Sequence, residues 1–125
     1  MGKYGDCAVH AVKLIENKHV KEPRLAWNLA TSSLMESEAM KNKGCPRAAF
    51  LGLCEEGMIK GIPKGRYTRS AKNKGYALNA IKILQQTSKP PTRDELWREI
   101  TGYNIVHNGQ MDVVLSLWHN GLILK

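Results

Sequence analysis

One phenylalanine, three tryptophans and four tyrosines leave this 125-residue chain poor in aromatic side chains, which fill 6% of its positions. A core short of large rings is built from aliphatic and small residues, with few rings left over as ligand platforms. No apolar run approaches the roughly 18 residues of a membrane span. The opening Met1-Gly2-Lys3-Tyr4-Gly5-Asp6 reaches an acid before any apolar stretch, unlike a secretory leader. Three cysteines cannot all pair within the chain and suit a reduced, cytoplasmic setting better than a disulfide scaffold. Hydrophobic residues at 42% and charged residues at 24% lie near the globular average, which excludes wholesale disorder. The length suits one domain over residues 1–125 and is too short for two filled cores.

Acids are missing altogether from one stretch. Between Met58 and Arg93 stand nine lysines or arginines and no aspartate or glutamate, so this segment alone accounts for the formal charge of +8. Repulsion makes such a block costly unless solvent, a folded-state acid or a bound anion offsets it.

What is present reads almost entirely as helix. Ala8, Ala11, Val12 and Ile15 recur at i, i+3, i+4 and i+7, with Asp6 as the expected cap. A second helix is expected from Pro23 to about Lys41 with a stripe of Leu25, Ala26, Leu29, Ala30, Ser33, Ser37 and Met40. Residues 45–57 are apolar on all sides and form the expected buried central helix, stopped at Gly57. Residues 58–73, with Gly61, Pro63 and Gly65, read as an ordered basic loop. A further helix carries Ala77, Ala80, Ile81 and Leu84 inward until Ser88-Lys89-Pro90-Pro91 breaks it. Thr92-Arg93-Asp94-Glu95 is a capping box, opening a C-terminal helical pair over 92–121 in which Leu96, Trp97, Ile100, Met111, Val114, Leu115 and Trp118 face inward. The last helix is placed near Asn108, with Gly121 as its left-handed end. Tyr103 to Val106 is the best strand candidate, and it has no partner. The expected fold is all-α: a compact orthogonal bundle of about five to six helices.

Three features carry possible chemistry. Gly44-Cys45-Pro46-Arg47 puts Pro46 at the first position of the buried helix and Cys45 at its cap, where the dipole and Arg47 favour a thiolate. The plainer reading is a small apolar residue in a packed place. A zinc site can be drawn from Cys7, His10, Cys45 and Cys54, but nine residues of helix put Cys45 and Cys54 about 13 Å apart in rise. No metal is therefore expected, and no cofactor signature is present. The third feature is the loop Lys60 to Ser70 with the helix start that follows it. Lysines in a first helical turn oppose the dipole, a cost usually offset at an anion site. Lys64, Arg66, Tyr67, Arg69, Ser70, Lys72 and Lys74 are the candidate ligand-binding residues. The competing reading is a solvated cationic face, or cations paired with Glu55, Glu56 or Asp94. A DNA-reading helix-turn-helix is excluded in the C-terminal pair, whose last helix has neither lysine nor arginine.

Gly44-Cys45-Pro46-Arg47-Ala48-Ala49-Phe50-Leu51-Gly52-Leu53-Cys54-Glu55-Glu56-Gly57, with Gly65-x-Tyr67-Thr68 and Asn73-x-x-Tyr76-Ala77, resembles a bacterial family of small conserved hypothetical proteins. The resemblance covers roughly the first 85 residues and leaves the segment after Pro91 outside it. It implies a bacterial, cytoplasmic protein and transfers no activity. The expected function is a non-catalytic module binding a phosphate-bearing or nucleic-acid ligand through residues 58–93. The alternatives are an interaction domain meeting an acidic protein partner, or a thiol enzyme or redox sensor using Cys45.

Overall fold

The structure is a computed structural model and describes residues 2–102 and 106–124. Among these residues the fold is all-α. Six helices of nine residues or more are joined by one single-turn helix: α1 Gly2–Glu16, α2 Pro23–Leu34, α3 Glu38–Lys41, α4 Gly44–Glu55, α5 Ala71–Gln86, α6 Arg93–Thr101 and α7 Gln110–His119. The strand candidate Tyr103 to Val106 lies outside the described residues except for Val106, which is exposed. Residues 56–70 form the loop between α4 and α5. Its start is tied to the chain's far end by an antiparallel bridge, Ile59 to Ile123, with the Lys60 N–H donating to the Leu122 carbonyl.

Two helices share the centre. α4 buries Pro46 and every residue from Ala48 to Cys54, as its all-round apolarity predicts. α7 buries Gln110 through Leu117 and packs against α1, α4, α5 and α6. α7 is thus the keystone of the core. A helix buried on that many sides also has no face to lay in a DNA groove. α1 lies against α7 and α2, and the core apolar cluster runs through every helix except α3.

Helix ends follow local chemistry. Thr92 and Glu95 make the expected reciprocal capping box. α4 and α7 both end in the left-handed glycine motif, with Met58 N–H to Leu53 carbonyl and Leu122 N–H to Leu117 carbonyl closing the six-residue bonds over Gly57 and Gly121. α1 ends the same way over Lys18, at φ 62°.

Four expectations are corrected. Asp6 does not cap α1, because Tyr4 and Gly5 draw the first turn into the fold. The Tyr4 hydroxyl donates to the Met40 carbonyl, and Gly5 lies buried against α7. The second helix stops at Leu34 rather than Lys41. Met35 turns extended and buried, and Ser37 caps the separate turn α3 by accepting from the Met40 N–H. The buried face of α2 is also not the leucine stripe: Ala26, Trp27, Ala30 and Thr31 point inward, whereas Leu25 and Leu29 are 49% and 41% exposed. Trp27 decides this face by stacking on Phe50 of α4 at 5.3 Å between ring centroids. The last helix begins at Gln110, two residues beyond the expected start.

Candidate functional site

Close approach of α4 and α5 builds the site. A Cβ on Gly52 would lie 2.7 Å from Lys74 Cβ and 2.8 Å from Lys74 Cα, so only glycine lets the first turn of α5 settle on α4 there. That contact brings Lys74 Nζ to 2.6 Å from Glu55 Oε2 and 2.7 Å from Glu56 Oε1. The other Glu55 oxygen accepts the backbone N–H groups of Tyr67 at 2.9 Å and Thr68 at 3.3 Å, and the Glu55 carbonyl accepts from Gly65. Glu55 therefore clasps both the loop and the helix that follows it. The hydrogen bond from Lys74, then that from Tyr67, holds its carboxyl far below the ordinary range, at about 2. The same bonds hold Lys74 charged by raising its pKa.

Beside this clasp lies an open groove of about 840 Å³. Its floor is Ala48 and Leu51 of α4, and its rim includes Gly44. α2 contributes Arg24, α4 contributes Arg47 and Glu55, and the loop contributes Arg66 through Ser70. Four arginines from three separate stretches of chain thus meet around one concavity. Arg24 is partnered by Glu22 at 3.2 Å. Among the described residues no carboxylate pairs with Arg47, Arg66 or Arg69, and the buried Nε of Arg47 has no hydrogen-bond partner. The only carboxylate in the lining, Glu55, is already taken up by Lys74 and the loop backbone.

The structure divides the sequence-derived candidates. Arg66, Tyr67, Arg69 and Ser70 come together in the groove. Lys74 turns away to the two glutamates, and Lys64 and Lys72 are exposed outside the lining. Tyr67 donates its hydroxyl to the Pro63 carbonyl at 2.8 Å and lies against Gly65, so it offers the groove its ring and not its O–H. Arg24 and Arg47 were not among the candidates, because counting charge in one contiguous block overlooks cations that the fold delivers from elsewhere. Arg47 did leave a signal, as the sole charge inside an otherwise apolar helix start.

The thiols stand apart. Cys45 is not the cap expected of it, because α4 already begins at Gly44 with Lys43 as its cap, and Cys45 does not line the groove. Cys7 and Cys54 are buried, which pushes the Cys7 thiol up to about 11 and the Cys54 thiol higher still. Among the described residues no three His, Cys, Asp or Glu side chains converge in metal-binding geometry, and no helix is long and apolar enough to cross a membrane.

A family of unknown function, DUF6979, matches this chain over residues 1–124. The chain belongs to that family. The match includes everything from Pro91 to Leu124, so the C-terminal pair with the central α7 is part of what defines the family and not an appendage to it. No curated protein and no solved structure matches the chain.

Proposed function

We propose that this protein is a non-catalytic binding module for phosphate-bearing anions, and that the arginine groove is its site. One observation carries the reading. Arg47, Arg66 and Arg69, brought from separate segments into one concavity, have no acidic partner among the described residues. Guanidinium groups left unpaired at close quarters repel one another, and an anion that accepts several of their N–H groups offsets that cost. Polar neighbours in the lining add hydroxyls from Thr68 and Ser70, and the apolar floor leaves room for the body of a ligand.

A general excess of positive charge would also retain the protein on a polyanion, so the test matches charge for charge. On a phosphate-bearing cation exchanger, Arg66→Ala with Arg69→Ala is expected to elute at clearly lower salt than wild type. Lys60→Ala with Lys82→Ala removes the same charge from exposed positions outside the groove and is expected to elute close to wild type. Equal shifts for the two pairs would reduce the groove to part of a diffuse cationic surface and end the proposal.

A further inference from the structure

The groove's inner wall is wired to a buried chain of amides whose direction can be worked out. The backbone N–H of Asn108 can only donate, and it meets Gln110 Oε1 at 2.8 Å. This orients the buried Gln110 amide, so its Nε2 donates to Asn73 Oδ1 at 3.1 Å. Asn73 is oriented in turn: its Nδ2 donates to Ser70 Oγ at 3.0 Å, and Ser70 Oγ also accepts the Asn73 backbone N–H as the cap of α5. With both acceptor positions taken, the Ser70 hydroxyl has only its proton left to offer, and Ser70 lines the groove. Thr68 Oγ1 likewise accepts from the Ser70 N–H and lines the groove with its own proton free to donate.

The wall is therefore rich in donors: Ser70 has only a proton to offer, Thr68 has one besides its remaining lone pair, and three guanidiniums are unpaired. Its charge also sets a scale. A phosphate monoester carries about −1.5 to −2 at pH 7, short of three unpaired arginines. A second phosphoryl group would make up the difference. The volume of about 840 Å³ suits a nucleotide-sized molecule. A polynucleotide would need an extended basic track with aromatic stacking, whereas here the arginines crowd around a single concavity lined by one aromatic ring, that of Tyr67.

We infer that the groove takes the diphosphate group of a small molecule, with Ser70 donating to a phosphoryl oxygen and the Asn73–Gln110 relay holding it in that role. This rests on the anion-binding reading above and narrows its ligand class.

Calorimetric titration of the full chain with sodium pyrophosphate, with orthophosphate and with a short unphosphorylated oligothymidylate tests it. Pyrophosphate is expected to bind at least tenfold tighter than orthophosphate and to displace any bound oligothymidylate. Ser70→Asp keeps a strong helix-capping acceptor while replacing the donor with a negative charge. It is expected to weaken pyrophosphate binding at least tenfold with little change in thermal melting. Oligothymidylate binding that pyrophosphate does not displace would overturn the diphosphate inference and leave the anion-binding reading standing. Equal affinity for pyrophosphate and orthophosphate would also overturn it. Absence of binding by all three probes would overturn both. The probe comparison uses the wild-type protein, so it decides the matter whatever the variant does.

Discussion

Glu55→Ala is expected to lower stability by about 3 kcal/mol, which for a chain of this size lowers the melting midpoint by roughly 10 °C. The size follows from what the side chain holds. Its carboxylate accepts from Tyr67 N–H, Thr68 N–H and Lys74 Nζ, and its side chain is only 15% exposed, so solvent replaces these bonds poorly. Alanine leaves two loop N–H groups without their acceptor and Lys74 with Glu56 alone. The loop that carries Arg66 and Arg69 loses its clasp, so the variant should also be retained less well on a polyanion. The pH dependence has a definite sign. Folding lowers the Glu55 carboxyl from 4.5 to about 2, so its stabilisation is complete above pH 4.5 and disappears as the pH falls from there through 2. Glu55→Gln keeps an acceptor for the loop but cannot titrate, and its acid-side loss of stability should be shallower than wild type over that window. A Glu55→Ala midpoint within about 2 °C of wild type would show that the clasp contributes little.

The second large effect is a pair of identical substitutions with opposite signs. Glycine inside a helix ordinarily costs about 0.5–1 kcal/mol relative to alanine. At Gly75 of α5 an added Cβ meets nothing within 4 Å, so Gly75→Ala should stabilise the protein by about that amount. At Gly5 of α1 the added Cβ would lie 2.0 Å from Ser116 Oγ and 2.7 Å from the Asp112 carbonyl oxygen. Backbone cannot swing aside as a long side chain can, so α1 must lift from α7. Overpacking of this kind costs about 1–3 kcal/mol and sometimes more. Gly5→Ala is therefore expected to lower the midpoint in urea unfolding while Gly75→Ala raises it. A rise in both would mean that α1 and α7 are not in close contact at Gly5.

These contacts mark where the sequence stops being legible. Signals that act over a few residues could be read directly: the Thr92–Glu95 box, the glycine stops at Gly57 and Gly121, and the all-round apolarity of α4. The face of α2 could not, because Ala26 and Ala30 belong to both the leucine stripe and the tryptophan stripe. The choice is made by Phe50, which lies in another helix. Charge behaves in the same way. Lys74 was open to two readings, a ligand cation or a partner of Glu55 and Glu56, and the glycine contact at Gly52 decides for the second by bringing both glutamates to it. Arg24 and Arg47 reach the groove from outside the block, on α2 and α4. The loop was recognisable as a cationic element, but which of its cations remain unpaired is a property of helix packing.

An anion site in the groove requires Arg47, Arg66 and Arg69 to act on one anion. Side-chain Nε–Hε resonances of the nitrogen-15-labelled protein, followed as pyrophosphate is added, report on each arginine separately. The signals of these three are expected to move together and reach a plateau at one equivalent, while Arg93, which is engaged by Asp94 and Asp112 away from the groove, stays in place. Signals that drift equally across all arginines without a plateau, or that do not move, would contradict joint action on one anion.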